Sequence, residues 1–122
     1  MAIASAACAS GPPVALFTAT AHDQIDGLGS CYLSGITGEL EADLVFGTAV
    51  VETVQLQGGS QEQASWPVKW PLGYSGRQSG SAVEVLDGSG HVVARTGTRV
   101  ELAGGYESGD WAACARGIQT LP

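Results

Sequence analysis

The residues of this chain best suited to contacting a ligand are aromatic side chains close to an arginine. Trp66 and Trp70 are four positions apart, so they share a face if this segment is an extended strand. Exposed rings beside a guanidinium group can stack on sugars or on peptide side chains, whereas buried rings would only fill a core. The candidate ligand-binding residues are Trp66, Trp70, Tyr74, Arg77 and Tyr106.

Two acidic residues near the start of the chain could help to bind a cation. Asp23 and Asp26 lie close together before Gly27, and carboxylates are good ligands for Ca²⁺. Their spacing fits no standard calcium loop, and Asp before Gly is typical of turns. We therefore expect no metal and no other cofactor, and Asp23 and Asp26 are only weak metal candidates.

The sequence contains no recognisable catalytic motif. Its two histidines, His22 and His91, form no zinc-binding pair, and no Gly-x-Ser-x-Gly, Cys-x-x-Cys or phosphate-binding loop is present. Carboxylates such as Glu39 and Glu41 alternate along one predicted strand, which suits solvation better than a cleft. We interpret the chain as non-catalytic.

The charge of the chain is unevenly distributed. The net charge is −7, and residues 1–68 contain seven acidic residues but no Lys or Arg. Nucleic acids and anionic membranes bind basic surfaces, so neither is an expected partner. The acidic residues could simply keep a β-protein soluble, or they could form a surface for a cation or a basic partner.

The three cysteines suggest an oxidising compartment. We predict a disulfide between Cys31, which opens the first long β-like region, and Cys114 in the last one, with two buried thiols as the alternative. Cys8 follows Ser-Ala-Ala and precedes a Ser/Gly/Pro stretch, as in a bacterial lipoprotein signal, although Ser5 replaces the usual Leu.

The start of the chain is accordingly interpreted as a flexible leader or signal remnant over residues 1–13, followed by one domain over 14–122. We expect an extracytoplasmic protein, either secreted or anchored by a lipid on Cys8, without a transmembrane span. An ordinary cytoplasmic N-terminus and residues added for expression are the alternatives.

Alternation of apolar and polar residues predicts an all-β domain. The strongest signal is a β-hairpin in which residues 83–86 and 91–95 flank Asp-Gly-Ser-Gly at 87–90. Other strands are predicted at 14–20, 36–44, 50–57, 66–70, 98–102 and 111–121, with a loop at 58–63 and a loop or one helical turn at 71–80. Segments 14–20 and 98–102 need not count as separate strands, which leaves five or six. This number favours a small OB-like barrel, and an immunoglobulin-like sandwich, which usually has about seven strands, is the alternative.

A run of turn and core residues extends this interpretation. It comprises Trp-Pro-Leu-Gly-Tyr at 70–74, Arg77, Gly80, the segments 83–87 and 92–97, Gly90 and Gly-Gly-Tyr at 104–106. With this pattern, residues 33–118 resemble a group of uncharacterised small exported domains and lipoproteins of high-GC bacteria. The resemblance implies an exported OB-like fold and supplies no catalytic residue.

These observations predict a non-catalytic, exported or surface-anchored interaction module whose partner is a protein or another envelope component. Edge strands or the 66–77 region would form the contact. The alternative is a domain that binds a carbohydrate or a small ligand on its Trp/Tyr platform.

Overall fold

The structure is a computed structural model that describes residues 11–19, 34–107 and 109–122. These residues form nine strands and no helix, which confirms the predicted all-β class. In this part of the chain no helix has the length and apolarity to cross a membrane. The strands are β1 (Pro13–Val14), β2 (Ser34–Asp43), β3 (Gly47–Gln55), β4 (Gln61–Lys69), β5 (Ser75–Ser79), β6 (Ala82–Leu86), β7 (Val92–Arg95), β8 (Arg99–Glu107) and β9 (Asp110–Thr120).

Five of these strands close into a small barrel in the order β2-β3-β4-β9-β8. The neighbours are antiparallel except β4 and β9, which run parallel. The β4–β9 seam is short, since the described residues pair only Val68 with Trp111 and Lys69 with Ala112. Strand β8 then returns to β2 and completes the ring.

The other four strands form a second sheet in the order β1-β5-β6-β7, inserted along the chain mainly between β4 and β8. Strands β6 and β7 are the hairpin that the sequence predicts. In its turn, Oδ1 of Asp87 accepts hydrogen bonds from the backbone N–H groups of Ser89 (2.9 Å) and His91 (3.0 Å). The side chain thus satisfies backbone donors that the turn leaves unpaired.

Several predicted boundaries are wrong, and three segments differ most from the prediction. The expected loop at 71–80 contains β5, because the backbone of this polar segment pairs with β6. The expected loop at 58–63 is shorter, since β4 already begins at Gln61 and pairs back to Gln55. The expected strand at 14–20 is reduced to Pro13–Val14 and a bridge between Thr18 and Trp70.

The core fills the interior of the barrel and extends to the second sheet, whose Val85 and Ala94 belong to the same buried cluster. Side chains alternate between the two faces of a strand, but burial does not alternate everywhere, because residues 47–50 at the start of β3 are all buried. Ile36 and Leu40, four residues apart on β2, are both buried. Ala42 and Leu44 continue the same alternation but are exposed, because they lie beside the β2–β3 turn at the end of the hairpin.

Candidate functional site

Trp70 is part of the core and is not available to a ligand. Its side chain has no exposed surface, and its indole Nε1 donates a 2.8 Å hydrogen bond to Oγ1 of Thr48. Tyr74 lies beside it, with ring centroids 6.4 Å apart in a stacked arrangement. Burial of Trp70 therefore splits the predicted aromatic platform.

Arg77 belongs to an ion-pair network on the second sheet. Its Nε lies 2.8 Å from Oε1 of Glu84, the residue directly opposite it on β6. Nη1 of Arg95, on β7, lies 3.6 Å from the other oxygen of the same carboxylate. The carboxylate of Glu84 thus compensates part of the charge of both arginines. The guanidinium group of Arg77 is engaged in an ion pair of the second sheet and is not part of a ligand platform.

Trp66 and Tyr106, the other two predicted aromatic residues, do come together. Their ring centroids are 4.6 Å apart, and Tyr106 also packs edge-on against Trp111 at 4.7 Å. Strand pairing explains the contact. Val68, two residues after Trp66 on β4, lies opposite Trp111, and Trp111 lies opposite Tyr106. Tyr106 keeps 56% of its surface exposed, so one side of this aromatic group faces solvent.

A carboxylate completes this group. Oε1 of Glu52 accepts a 3.0 Å hydrogen bond from Nε1 of Trp66 and a 3.5 Å hydrogen bond from the hydroxyl of Tyr106. Burial, the nearby negative charge of Glu52 and this hydrogen bond, in that order, raise the pKa of Tyr106. We call Glu52, Trp66, Tyr106 and Trp111 the Glu52 cluster.

Sequence reasoning missed two members of the Glu52 cluster. Glu52 is in phase with Val50 and Val54 on β3, so alternation alone places this charged side chain on the apolar side of the strand. The position of Glu52 in this alternation is the sequence signal that could have identified it. Trp111 gives a weaker one, because its contact with Tyr106 depends on the register of the β8–β9 hairpin.

A second feature is the turn between β2 and β3, residues 44–46, which we call the hairpin tip. Leu44 is fully exposed and Val45 keeps 79% of its surface exposed. Oδ1 of Asp43 accepts hydrogen bonds from the backbone N–H groups of Val45 and Phe46, each 2.8 Å long. The turn is therefore held in one conformation while it presents apolar side chains to solvent.

Contacts with residues outside the β2–β3 hairpin also support the hairpin tip. Phe46 packs against Phe17 with ring centroids 5.4 Å apart, and the backbone N–H of Phe17 donates a 2.9 Å hydrogen bond to the carbonyl of Phe46. Nζ of Lys69 lies 5.7 Å from the centre of the Phe17 ring. These contacts fix the base of the tip against the barrel.

A shallow cavity of about 250 Å³ lies between β2, β8 and β9. Glu101 is the one titratable residue in its lining, and small or neutral residues make up the rest. It holds no cluster of groups able to do chemistry. The lining residues are Ser34, Gly35, Glu101, Ala103, Gly117 and Gln119.

The remaining predictions concern cysteines and metal ligands. Cys114 lies on β9 and is disulfide-bonded; Cys8 and Cys31 lie outside the described residues, so the Cys31–Cys114 pairing and lipidation of Cys8 stay predictions. Asp23 and Asp26 also lie outside them. Among the described residues, no group of three or more His, Cys, Asp or Glu side chains could hold a metal ion.

Comparison with known proteins adds no further information about this site. No family model, no curated protein and no solved structure matches the chain. Its function must therefore be inferred from the side chains themselves, above all from the hairpin tip and the Glu52 cluster.

Proposed function

We propose that this protein is a non-catalytic binding module that docks onto another protein through its hairpin tip. The observation that carries the proposal is the exposure of Leu44 and Val45 on an ordered turn. Exposed apolar side chains grouped together often mark interaction sites. Because Asp43 already fixes the turn, binding would lose little additional conformational entropy.

Charge defines the kind of partner that fits. Strand β2, which leads to the tip, carries Glu39, Glu41 and Asp43, and neither β2 nor β3 contains a Lys or Arg. A partner with an apolar pocket surrounded by basic residues would complement both the tip and the acidic strand below it. An anionic membrane surface would instead repel these carboxylates.

The proposal is tested by removing the apolar surface without disturbing the turn. The double variant Leu44→Ser/Val45→Ser keeps Asp43, and Val92→Ser on β7 is the matched control because Val92 is 46% exposed on the other sheet. The wild-type protein would first be used to capture proteins from an envelope extract, and the captured proteins would be identified and purified. Calorimetry would then measure the affinity of each purified protein for the wild-type protein and for each variant.

We expect a purified partner to bind the tip variant at least about tenfold more weakly, and the Val92→Ser control with unchanged affinity. Circular dichroism and thermal melting would verify that both variants fold. Equal binding of the tip variant, the lack of any direct protein partner, or tip-dependent binding to phosphatidylcholine vesicles alone would each disprove protein docking.

The barrel is further proposed to be of the OB type. Numbered along the chain, its five strands have the ring order 1-2-3-5-4, which fits a five-stranded Greek-key barrel. Strands β5 to β7 lie between the third and fourth barrel strands. A closed ring of five strands also favours this architecture over the immunoglobulin-like sandwich.

Export is proposed together with the Cys31–Cys114 disulfide and an anchor through Cys8. The odd number of cysteines and the signal-like context of Cys8 support these assignments. Intact mass should increase by about 2 Da on reduction of one disulfide, and peptide mapping should recover Cys31 linked to Cys114. A bridge that contains Cys8 would contradict both the pairing and the anchor.

Carbohydrate binding on a Trp/Tyr platform is the second candidate function. It retains one supporting observation, the exposed ring of Tyr106 packed on Trp66. It loses Trp70, which is buried, and Arg77, which is paired with Glu84. Fluorescence titration with polysaccharides would test it, since stacking on Tyr106 should alter the emission of Trp66.

A further inference from the structure

We propose that the Glu52 cluster binds an alkylammonium group, with Tyr106 contacting its alkyl carbons and Glu52 serving as the counter-ion. This site is independent of the hairpin tip and of protein docking. Three observations support the proposal: Glu52 has no cationic partner among the described residues, the ring of Tyr106 is exposed, and the carboxylate accepts hydrogen bonds from both Trp66 and Tyr106.

Glu52 is a half-buried carboxylate without a cationic partner in the described part of the chain. Its two hydrogen-bond donors, Trp66 and Tyr106, are both neutral, and both reach Oε1. The described ion pairs involve Glu84 and Asp87 instead. Partial removal of a carboxylate from water is unfavourable unless its charge is compensated, and a bound cation would supply that compensation.

The aromatic rings are arranged to favour the same ligand. Tyr106 is supported by Trp66 on one side and by the edge contact with Trp111, yet 56% of its surface is open. The face of an aromatic ring attracts ammonium cations, and alkyl groups on the nitrogen gain dispersion contacts with the ring. The hydroxyl of Tyr106 points to Glu52, which connects the ring to the counter-ion.

Other ligand classes fit this arrangement less well. A bare metal ion prefers several oxygen ligands, and no group of three metal-binding residues occurs within the described ranges. A neutral sugar could stack on Tyr106 but would leave the charge of Glu52 uncompensated. An alkylammonium ion uses both the ring and the carboxylate, and the net charge of −7 favours cations generally.

An alkylammonium group can come from a free amine, a choline lipid headgroup or a lysine side chain. The test therefore titrates the protein separately with choline chloride, Nα-acetyl-lysine amide and phosphatidylcholine vesicles. Sodium chloride at equal ionic strength and the neutral isostere 3,3-dimethylbutan-1-ol are the ligand controls. The readout is the NMR chemical shift of the Trp66 indole N–H, which donates to Glu52.

We expect at least one cationic probe to shift the Trp66 signal in a saturable manner, whereas the neutral isostere and sodium chloride do not. Glu52→Gln preserves an oxygen acceptor for Trp66 but removes the charge, and it should weaken binding at least about tenfold. Tyr106→Leu should have a similar effect, while Tyr106→Phe, which keeps the ring, should retain most of the affinity.

Glu41→Gln is the matched control, because it removes an exposed carboxylate from β2 and leaves the cluster intact. It should change the affinity less than about twofold if binding is local. Lack of saturable binding by all three cationic probes would overturn the proposal. Equal binding of the neutral isostere, or equal losses in Glu41→Gln and Glu52→Gln, would also overturn it.

Discussion

The indole Nε1 of Trp70 donates a 2.8 Å hydrogen bond to the hydroxyl of Thr48, and both side chains are completely buried. The backbone of Trp70 also bonds to the first described segment, because its N–H donates to the carbonyl of Phe17 (2.9 Å) and its carbonyl accepts from Ala19 (2.8 Å). Trp70 thus joins residues 17–19 to the beginning of β3 and the end of β4.

Replacement of Thr48 by valine tests how much this buried hydrogen bond stabilises the fold. Thr48→Val preserves the shape of the side chain but leaves the Trp70 N–H without an acceptor, which should lower the free energy of unfolding by about 1–3 kcal/mol. Urea denaturation followed by tryptophan fluorescence measures this change. Thr53→Val is the control, because Thr53 is exposed on the same strand; equal effects in both variants would contradict the argument.

A methyl group at Gly38 should be poorly tolerated. A Cβ built at this position collides with the backbone carbonyl of Val51 and lies 2.9 Å from a methyl carbon of Val50. Since backbone atoms of β3 cannot move away easily, Gly38→Ala should destabilise the protein by about 1–3 kcal/mol. Thermal and urea unfolding would measure the loss, with Gly88→Ala as the control because no atom lies within 4 Å of its Cβ position. Unchanged stability of Gly38→Ala would show that β2 and β3 can separate at this point.

The order of the hairpin tip should depend on Asp43. Asp43→Ala removes the acceptor for the N–H groups of Val45 and Phe46, so both amides should exchange with solvent deuterium faster than in the wild-type protein. NMR-detected hydrogen exchange measures the two rates. Glu41→Ala removes a carboxylate from the same strand without removing this acceptor, and its exchange rates at the tip should stay close to wild type. Faster exchange in both variants would point to a general effect of charge.

The protein should lose stability in alkaline solution. Burial, the charge of Glu52 and their hydrogen bond raise the pKa of Tyr106 above its ordinary value of 10.0. The folded state therefore holds this proton more tightly than the unfolded state. Its stabilising contribution is complete below the unfolded pKa and is lost as the pH rises through the folded pKa.

Urea denaturation between about pH 8 and pH 11, together with tyrosinate absorbance, would measure this dependence. Tyr106→Phe should reduce the slope without abolishing it, since burial and the charge of Asp87 also raise the pKa of Tyr74. An unchanged slope in Tyr106→Phe would show that folding does not raise the pKa of Tyr106.

The sequence predicts the fold better than the site. The hairpin of β6 and β7 is predictable because Asp-Gly turns and period-two alternation are local signals. Strand β5 was missed because its residues are small and polar, and only pairing with β6 makes the segment extended. The ring order depends on contacts between distant residues, such as Val68 with Trp111, for which the sequence carries no local signal.

The candidate site was predicted only in part, for the same physical reason. Trp66 and Trp70 do share a face, but the depth of each within the barrel decides which one is buried, and depth is a property of the whole ring. Exposure of Leu44 likewise depends on where the β2–β3 hairpin ends. Apolar alternation predicts a buried residue there, and the turn places it in solvent instead.

The brief parallel contact between β4 and β9 affects how the protein can fold during synthesis. Val68 and Lys69 can pair with Trp111 and Ala112 only after the whole of the second sheet has been synthesised. During synthesis on a ribosome, β2, β3 and β4 can pair early, but the edge of β4 that later pairs with β9 stays unpaired. A chaperone, or another unfinished copy of the chain, would bind the nascent protein at this edge.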